Sequence, residues 1–296
     1  MPQKVCVIVN PASGRGRGAR NLPAIREAFA KTGVTEVRLT EQREGERVVA
    51  RRAIEEGFDT IVACGGDGTW GNVANGILAS GADVRLGLIA SGTGNDFAKT
   101  VGAPATDFAA TAQLVADGRD TRVDVGKIED QFFLNITGFG FDIAVLEDIP
   151  KIPMLRGDAV YIVSALRQIV GYSGIEIDIV TSARTRGKLK HLMLVIANAK
   201  NFGGAFKIAP GASLTDGKLD AIAIYDAPAL QRLGLFAAAV KGTHVAKPGV
   251  SVEQSAKFSL TFNTPPAYET DGEYRQAKST ELEVTCVAAA LRVVSA

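Results

Sequence analysis

Thr60-Ile61-Val62-Ala63-Cys64-Gly65-Gly66-Asp67-Gly68-Thr69-Trp70 decides the reading of this chain. Its first half is an uninterrupted apolar run, the pattern of a strand buried on both faces of a parallel sheet. Three glycines at 65, 66 and 68 then allow the backbone to approach a ligand closely, and a helical pattern starts near Trp70. Amides at such a helix start face outward and attract phosphate oxygens. Asp67 repels phosphate by itself and makes sense as a direct or water-mediated ligand of Mg²⁺, whose charge offsets that of a nucleotide. The plain alternative is a tight strand-to-helix turn in which Asp67 caps the helix. The run has neither the GxGxxG spacing of a dinucleotide site nor the GK[ST] ending of a Walker loop.

Elements on either side alternate between strand and helix. Residues 4–9 read as a strand, 19–31 as a helix with Leu22, Ile25 and Phe29 on one face, 35–39 as a strand, 46–56 as a helix and 84–89 as a strand, with a further helix after Asn95. This order predicts a parallel sheet with its ligand loops at the carboxyl ends of the strands. Two more loops sit at that edge. Asn10-Pro11-Ala12-Ser13-Gly14-Arg15-Gly16-Arg17-Gly18 offers Arg15 and Arg17 to phosphate, with Arg20 read as solvated on the following helix. Ser91-Gly92-Thr93-Gly94-Asn95-Asp96-Phe97 adds neutral donors at Thr93 and Asn95, alongside Asn10 of the first loop. Thr40, at the end of the next strand, is a further candidate nucleotide contact.

After about residue 120 the pattern becomes mostly strand: 132–136, 175–180, 188–197, 219–225, 257–262 and 282–287, with helices expected only at 158–170, on a face of Ile162, Leu166 and Ile169, and at 229–240. The expected organisation is a nucleotide-binding α/β domain at 1–125, completed by 288–296, and a C-terminal antiparallel β-sandwich at 126–287 carrying the lipid substrate and the catalytic residues. Late in that second part, Thr270-Asp271-Gly272-Glu273-Tyr274 sets two carboxylates two residues apart. An extended segment points both to one face, although a turn at Gly272 alters that. Glu273 is the candidate base for an acceptor hydroxyl, and Asp271 the candidate group to orient that hydroxyl or touch metal. A solvated hairpin turn is the competing reading. Ser213-Leu214-Thr215-Asp216-Gly217-Lys218 forms a second acidic loop able to hold a hard cation through Asp216, backbone carbonyls and water.

Composition bounds the rest. The 296 residues carry 33 Lys plus Arg against 32 Asp plus Glu, a net charge of +1, so there is no global attraction for nucleic acid and none is expected as a partner. No apolar run reaches the roughly 18 residues of a membrane span. The opening MPQKVCVIVNP reads as a strand too promptly followed by turn residues to be a secretory signal. Cys6, Cys64 and Cys286 lie singly in apolar stretches and read as reduced packing residues; His191 and His244 are isolated, and Trp70 reads as core.

Taken in order, these motifs resemble the diacylglycerol kinase catalytic family, especially its soluble bacterial lipid kinases, over essentially the whole chain. Gly65-Gly66-Asp67-Gly68-Thr69, Gly92-Thr93-Gly94-Asn95-Asp96-Phe97, Asn198-Ala199-Lys200-Asn201-Phe202-Gly203-Gly204 with Pro210-Gly211-Ala212 and Asp216-Gly217, and Asp271-Gly272-Glu273 carry the resemblance. GGDGT alone is shared with NAD kinases and distantly with phosphofructokinases; the later motifs discriminate for a lipid kinase. The resemblance implies an NAD kinase/diacylglycerol kinase-like fold with its active site in an interdomain cleft, ATP and Mg²⁺ as cofactors, and Glu273 as general base. It implies Asp67 organising nucleotide and catalytic Mg²⁺, Thr40 and Thr93 contacting nucleotide, and Asp96 bracing its loop. A structural Mg²⁺ is implied at Ser213, Asp216 and Lys218, through main-chain carbonyls at 213 and 218. One departure stands out: after GGDGT the family continues with a hydrophobic residue and Asn-Glu, whereas this chain has Trp70-Gly71-Asn72, removing a carboxylate from the nucleotide side. The expected reaction is phosphorylation of a lipid hydroxyl, diacylglycerol or a related bacterial lipid. A sphingoid-base kinase, an NAD kinase and a non-enzymatic nucleotide-binding module are the alternatives. The expected setting is cytoplasmic, with transient contact at the inner membrane surface to reach a long-chain lipid, and a homodimer is compatible with it.

Overall fold

In the computed structural model, residues 3–41, 45–152, 158–181 and 185–295 are described. The chain divides into two compact units. The first comprises residues 1–125, 214–216 and 287–296, and the second residues 126–213 and 217–286.

The first unit runs β1 (Val5–Val9), α1 (Ser13–Ala30), β2 (Val37–Leu39), α2 (Gly45–Glu55), β3 (Thr60–Gly65), α3 (Asp67–Ser80), β4 (Arg85–Ala90), α4 (Asp96–Val101) and α5 (Phe108–Asp117). The chain then passes along β5 (Asp120–Ile128) into the second unit, which holds β6 (Gln131–Phe133), β7 (Ile136–Gly140), α6 (Phe141–Asp148), α7 (Asp158–Gly171), β8 (Ile175–Val180), β9 (Thr185–Ala197), β10 (Leu219–Tyr225), α8 (Ala229–Lys241), β11 (Val250–Ser255), β12 (Lys257–Phe262), β13 (Ala267–Thr270) and β14 (Glu273–Gln276). A last strand, β15 (Glu281–Val294), begins there and ends in the first unit.

In the first unit the strands lie in the order β2-β1-β3-β4-β15, every pair parallel; Arg292 and Val293 of β15 stand beside Arg85 and Leu86 of β4. All residues of β1 and β3 are buried, and successive side chains serve opposite faces. Val5, Val7 and Val9 join Val62 and Cys64 under Ile25 and Phe29 of α1 and Val115 of α5. On α3, Trp70 is fully buried and its indole N–H donates to the Ala63 carbonyl at 3.0 Å. Burial also pushes the Cys64 thiol up to about 11, keeping it neutral and unreactive. The strand order turns at β1 and β3, so the loops after these two strands occupy the switch point where α/β sheets bind ligands.

The second unit is antiparallel throughout its pairings, β14-β13-β7-β9-β8-β12-β15, with β10 also joined to β9 and β11 to β10. The long strand β9 shows why it is a sandwich. Leu194 and Ile196 face a core of strands with Phe139, Phe258 and Tyr268, while Leu192, Val195 and Ala197 face Phe141 and Val145 of α6, Ile169 of α7 and Leu235 of α8. Three helices therefore cover the second face, one more than the sequence pattern suggests. On α7 the expected face is also rotated. Ile169 is buried but Leu166 is 48% exposed, because Ser164 turns inward and donates to the Val145 carbonyl at 2.8 Å; the side chain of Ile162 lies outside the described residues.

Phe139 is fully buried between Phe262 and Tyr268, with ring centroids at 5.2 and 5.9 Å. Phe139→Ala is expected to lower stability by about 3–5 kcal/mol, read from the midpoint of urea unfolding.

Candidate active site

The first unit brings its three glycine-rich loops into contact. Gly65 closes β3, and Gly66 is extended (φ −112°, ψ −167°) before α3 begins at Asp67. The amides of Ser91 and Gly92, following β4, both donate to the Gly65 carbonyl at 2.8 and 3.1 Å. A Cβ on Gly92 would stand 2.4 Å from the Gly66 Cα, and one on Gly65 would stand 2.2 Å from the Thr69 side chain. Gly92 is demanded by backbone meeting backbone, and Gly65 by the Thr69 side chain that fills the space beside it. Asp67 ties the second and third loops together, its Oδ1 accepting the Phe97 N–H at 3.0 Å, and Gly68 and Thr69 complete the first turn of α3.

The first loop is locked to the same edge. Its residues Gly14, Arg15 and Gly16 are left-handed (φ 54°, 59° and 81°), and a Cβ on Gly14 would lie 1.7 Å from the Ser91 carbonyl oxygen. Ser13 and Ser91 share a hydroxyl hydrogen bond of 2.5 Å. Arg17 donates to the Gly92 carbonyl at 2.6 Å and Arg20 to the Arg15 carbonyl at 3.2 Å, so Arg20 braces the left-handed turn from the exposed face of α1. Arg15, Arg17 and Thr93 are exposed, whereas Thr40 is buried at the end of β2 with its N–H on the Val9 carbonyl at 3.0 Å. Asn95 is left-handed (φ 53°), and its Oδ1 is buried without a hydrogen-bond partner beside Gly66 and Gly92. An orphaned acceptor, exposed guanidinium groups and a cradle that any Cβ would fill suit a polyphosphate with its cation.

One residue of this edge was invisible to sequence reading. Glu46, in the first turn of α2, is 2% exposed and takes Asn10 Nδ2 at 2.8 Å and Asn72 Nδ2 at 3.4 Å, while Asn10 also reaches Thr69 Oγ1 at 3.2 Å. The carboxylate missing at position 72 is thus matched by one at position 46 in the same hydrogen-bond network. Its one signal in the sequence was a glutamate opening the helix expected at 46–56.

In the second unit, Thr270 and Glu273 face each other across the two-residue turn Asp271-Gly272. Both turn residues have positive φ, 51° and 86°, the type I′ geometry that suits Asp-Gly in a hairpin. The turn sends the two candidate carboxylates in different directions. Asp271 accepts the backbone N–H groups of Leu134, Asn135 and Ile136 at 2.7, 2.8 and 3.1 Å, and its own N–H donates to the Ile136 carbonyl. Asn198, the first residue of the NAKNFGG stretch, grips the same segment, donating to the Leu134 carbonyl at 2.8 Å from Nδ2 and to the Asn135 carbonyl at 2.8 Å from its N–H. Both motifs therefore anchor the hairpin that presents Glu273, which is half-buried at the start of β14.

Leu214–Asp216 pack with the first unit, where the Asp124 N–H donates to the Leu214 carbonyl at 2.6 Å; Asp216 is exposed, Ser213 half-buried and Lys218 exposed. Among the described residues no three His, Cys, Asp or Glu side chains converge as a metal cluster. A cation here would rest on the Asp216 carboxylate and main-chain oxygens, an all-oxygen set that fits Mg²⁺ or Ca²⁺ and no softer ion.

Comparison with known proteins matches this arrangement in both halves. The family described as "Diacylglycerol kinase catalytic domain" matches residues 4–128, and "YegS C-terminal NAD kinase beta sandwich-like domain" matches residues 135–295. The chain belongs to the diacylglycerol kinase catalytic family. A diacylglycerol kinase of Bacillus subtilis is 28% identical over 271 residues, covering 90% of this chain and 89% of that protein. One from Staphylococcus aureus is 29% identical over 278 residues, covering 93% and 87%. A diacylglycerol kinase crystal structure from Bacillus anthracis superposes with a TM-score of 0.75 at 19% identity, over 99% of this chain and 97% of that one, a likeness of fold.

Because Asp271 holds three backbone amides, Asp271→Ala is expected to cost about 3 kcal/mol of stability through the donors left unpaired. Denaturant unfolding at neutral pH measures it, and an unchanged midpoint would show that the carboxylate is no anchor.

Proposed function

We propose that this family member transfers the γ-phosphoryl group of ATP to the hydroxyl of a long-chain lipid, diacylglycerol or a related bacterial lipid. The carrying observation is the pairing, in one chain of this family, of a three-loop glycine cradle at a parallel-sheet edge with a carboxylate mounted on an anchored hairpin. The amides and glycines of residues 65–69 and 91–95, with Arg15 and Arg17, hold the polyphosphate, and Asn10, Thr40, Thr93 and Asn95 add neutral hydrogen bonds. Asp67 would help hold Mg²⁺, which would supply positive charge against the polyphosphate.

Glu273 takes the proton of the acceptor hydroxyl as its oxygen bonds to the γ-phosphorus, and the bond from that phosphorus to the bridging oxygen breaks to leave ADP. Asp271 serves this step by fixing the turn that carries the base. Lipid tails contribute about 0.8 kcal/mol for each methylene buried, so apolar surface sets affinity and not the chemistry. Among the described residues no helix is long and apolar enough to cross a membrane, and the lipid is met by transient surface contact.

Glu273→Gln keeps size and removes the basic carboxylate; single-turnover transfer at saturating Mg-ATP and lipid is expected to fall by roughly 10²–10⁴ with ATP affinity retained. The same assay run with NAD as acceptor tests the substrate class, and NADP formation without lipid phosphate would reject it. The loop at Ser213, Asp216 and Lys218 is assigned a stabilising Mg²⁺. Asp216→Ala is expected to reduce the Mg²⁺-dependent rise in melting temperature more than it reduces ATP affinity, and an unchanged Mg²⁺ response would sink that assignment.

A further inference from the structure

Two carboxyl groups in the second unit have no place in the mechanism above. Asp142 lies in the first turn of α6 and Glu269 in β13, both buried, and Glu269 stands opposite Gly138 of β7 in the sheet. The missing side chain at 138 makes their room: a Cβ there would be 1.9 Å from Asp142 Oδ2 and 3.2 Å from Glu269 Oε1. Neither Asp142 oxygen, nor Glu269 Oε1, has a donor of regular geometry. The two carboxyls crowd the same buried space above Gly138, and like charges held there cannot both be ionised, so one carries a proton.

Burial and like charge both favour holding that proton on the pair. Burial is the largest cause raising both groups; the nearby Asp142 charge and then Asp271 push Glu269 further up. The amides at the start of α6 favour the ionised form of Asp142. The proton therefore sits on Glu269 and points at an Asp142 carboxylate. Tyr172, after α7, feels the Asp142 charge, and among the described residues no basic side chain is a main cause shifting either carboxyl. Arg275 of β14 turns to Thr270 Oγ1 at 2.8 Å, Arg167 of α7 to Asp148 at 3.4 Å and Arg232 of α8 to Asp226 at 2.5 Å.

The pair reaches the candidate base through the hairpin itself: Glu269 sits beside Thr270, which pairs with Glu273, and stands opposite Tyr274 and Gly138 in the sheet. We propose that Glu269 is a positioning residue for phosphoryl transfer: sharing one buried proton with Asp142, it fixes the end of β13 and with it the direction in which Glu273 leaves the turn. This rests on Glu273 as the base. With the shared proton present, α6 and the hairpin are joined across Gly138 of β7. Without a donor at 269, the Asp142 carboxylate is buried alone and the turn loses its support from below.

Two measurements on Glu269→Gln and Glu269→Ala test this in the full chain. Glutamine donates to Asp142 without needing a proton. Folding of the wild-type chain takes up a proton at Glu269 once pH exceeds the ordinary glutamate value of about 4.3, so its stability falls as pH rises towards the raised folded value. The stability of Glu269→Gln relative to wild type should therefore grow with pH from about 4.3 towards the raised folded value, approaching tenfold in the folding constant per pH unit. A difference that does not change with pH would overturn the shared proton, whatever Glu273 does. In single-turnover transfer at fixed pH, Glu269→Ala should lose about tenfold or more with ATP affinity unchanged, and Glu269→Gln should recover most of that loss. Normal transfer by a folded Glu269→Ala protein overturns the positioning role. Glu273→Gln measured beside it separates the two failures: slow transfer there leaves the base standing, and normal transfer removes the base as well.

Discussion

A parallel sheet buried on both faces leaves its chain little freedom about where polar chemistry can go. The central strands of the first unit are spent on burial, β1 and β3 to the last residue, so polar side chains and glycines collect in the loops beyond the carboxyl ends. Those loops then have to pack on one another. Gly66 against Gly92, and Gly14 against the Ser91 carbonyl, are contacts between main chains, and they fix where amides and guanidinium groups are presented. Anion binding follows from this packing at an edge where no large side chain fits, and it explains how a chain of net charge +1 builds a phosphate site from local groups.

The second unit meets a different constraint. Its hairpin β13–β14 is four residues on each side, too short to hold a side chain rigidly by sheet bonds alone. Asp271 and Asn198 supply the missing rigidity by gripping the backbone at residues 134–136 from two sides. Long-range anchoring of this kind makes a loop carboxylate behave as though it belonged to the sheet, which is what precise proton abstraction requires.

Legibility in the sequence followed the source of each feature's order. Ile175–Val180, Leu219–Tyr225 and Lys257–Phe262 were readable to the residue because alternating or continuous apolar runs announce buried strands. The strand at 120–128 and the hairpin strands Ala267–Thr270 and Glu273–Gln276 were not, since polar residues interrupt their apolar pattern. Helix α6 was hidden by the apolar strand that runs straight into it. The glycine loops could be placed because glycine spacing is local. Glu46 and the Asp142–Glu269 pair could not, because a buried carboxylate is defined by neighbours that sequence distance conceals.

Glu269, Asp271 and Glu273 carry the last step. Three carboxylates at alternate positions would share one face of a flat strand and repel each other there. The two left-handed residues of the turn break that face, and each acid then meets its own surroundings. Asp271 meets three amides and stays bound to backbone, while Glu269 meets a buried carboxyl and keeps a proton. Glu273 comes out half-buried on the far side of the turn. One residue type at one spacing is thereby divided among an anchor, a proton holder and a candidate base, and the division is made by backbone geometry at Asp271-Gly272.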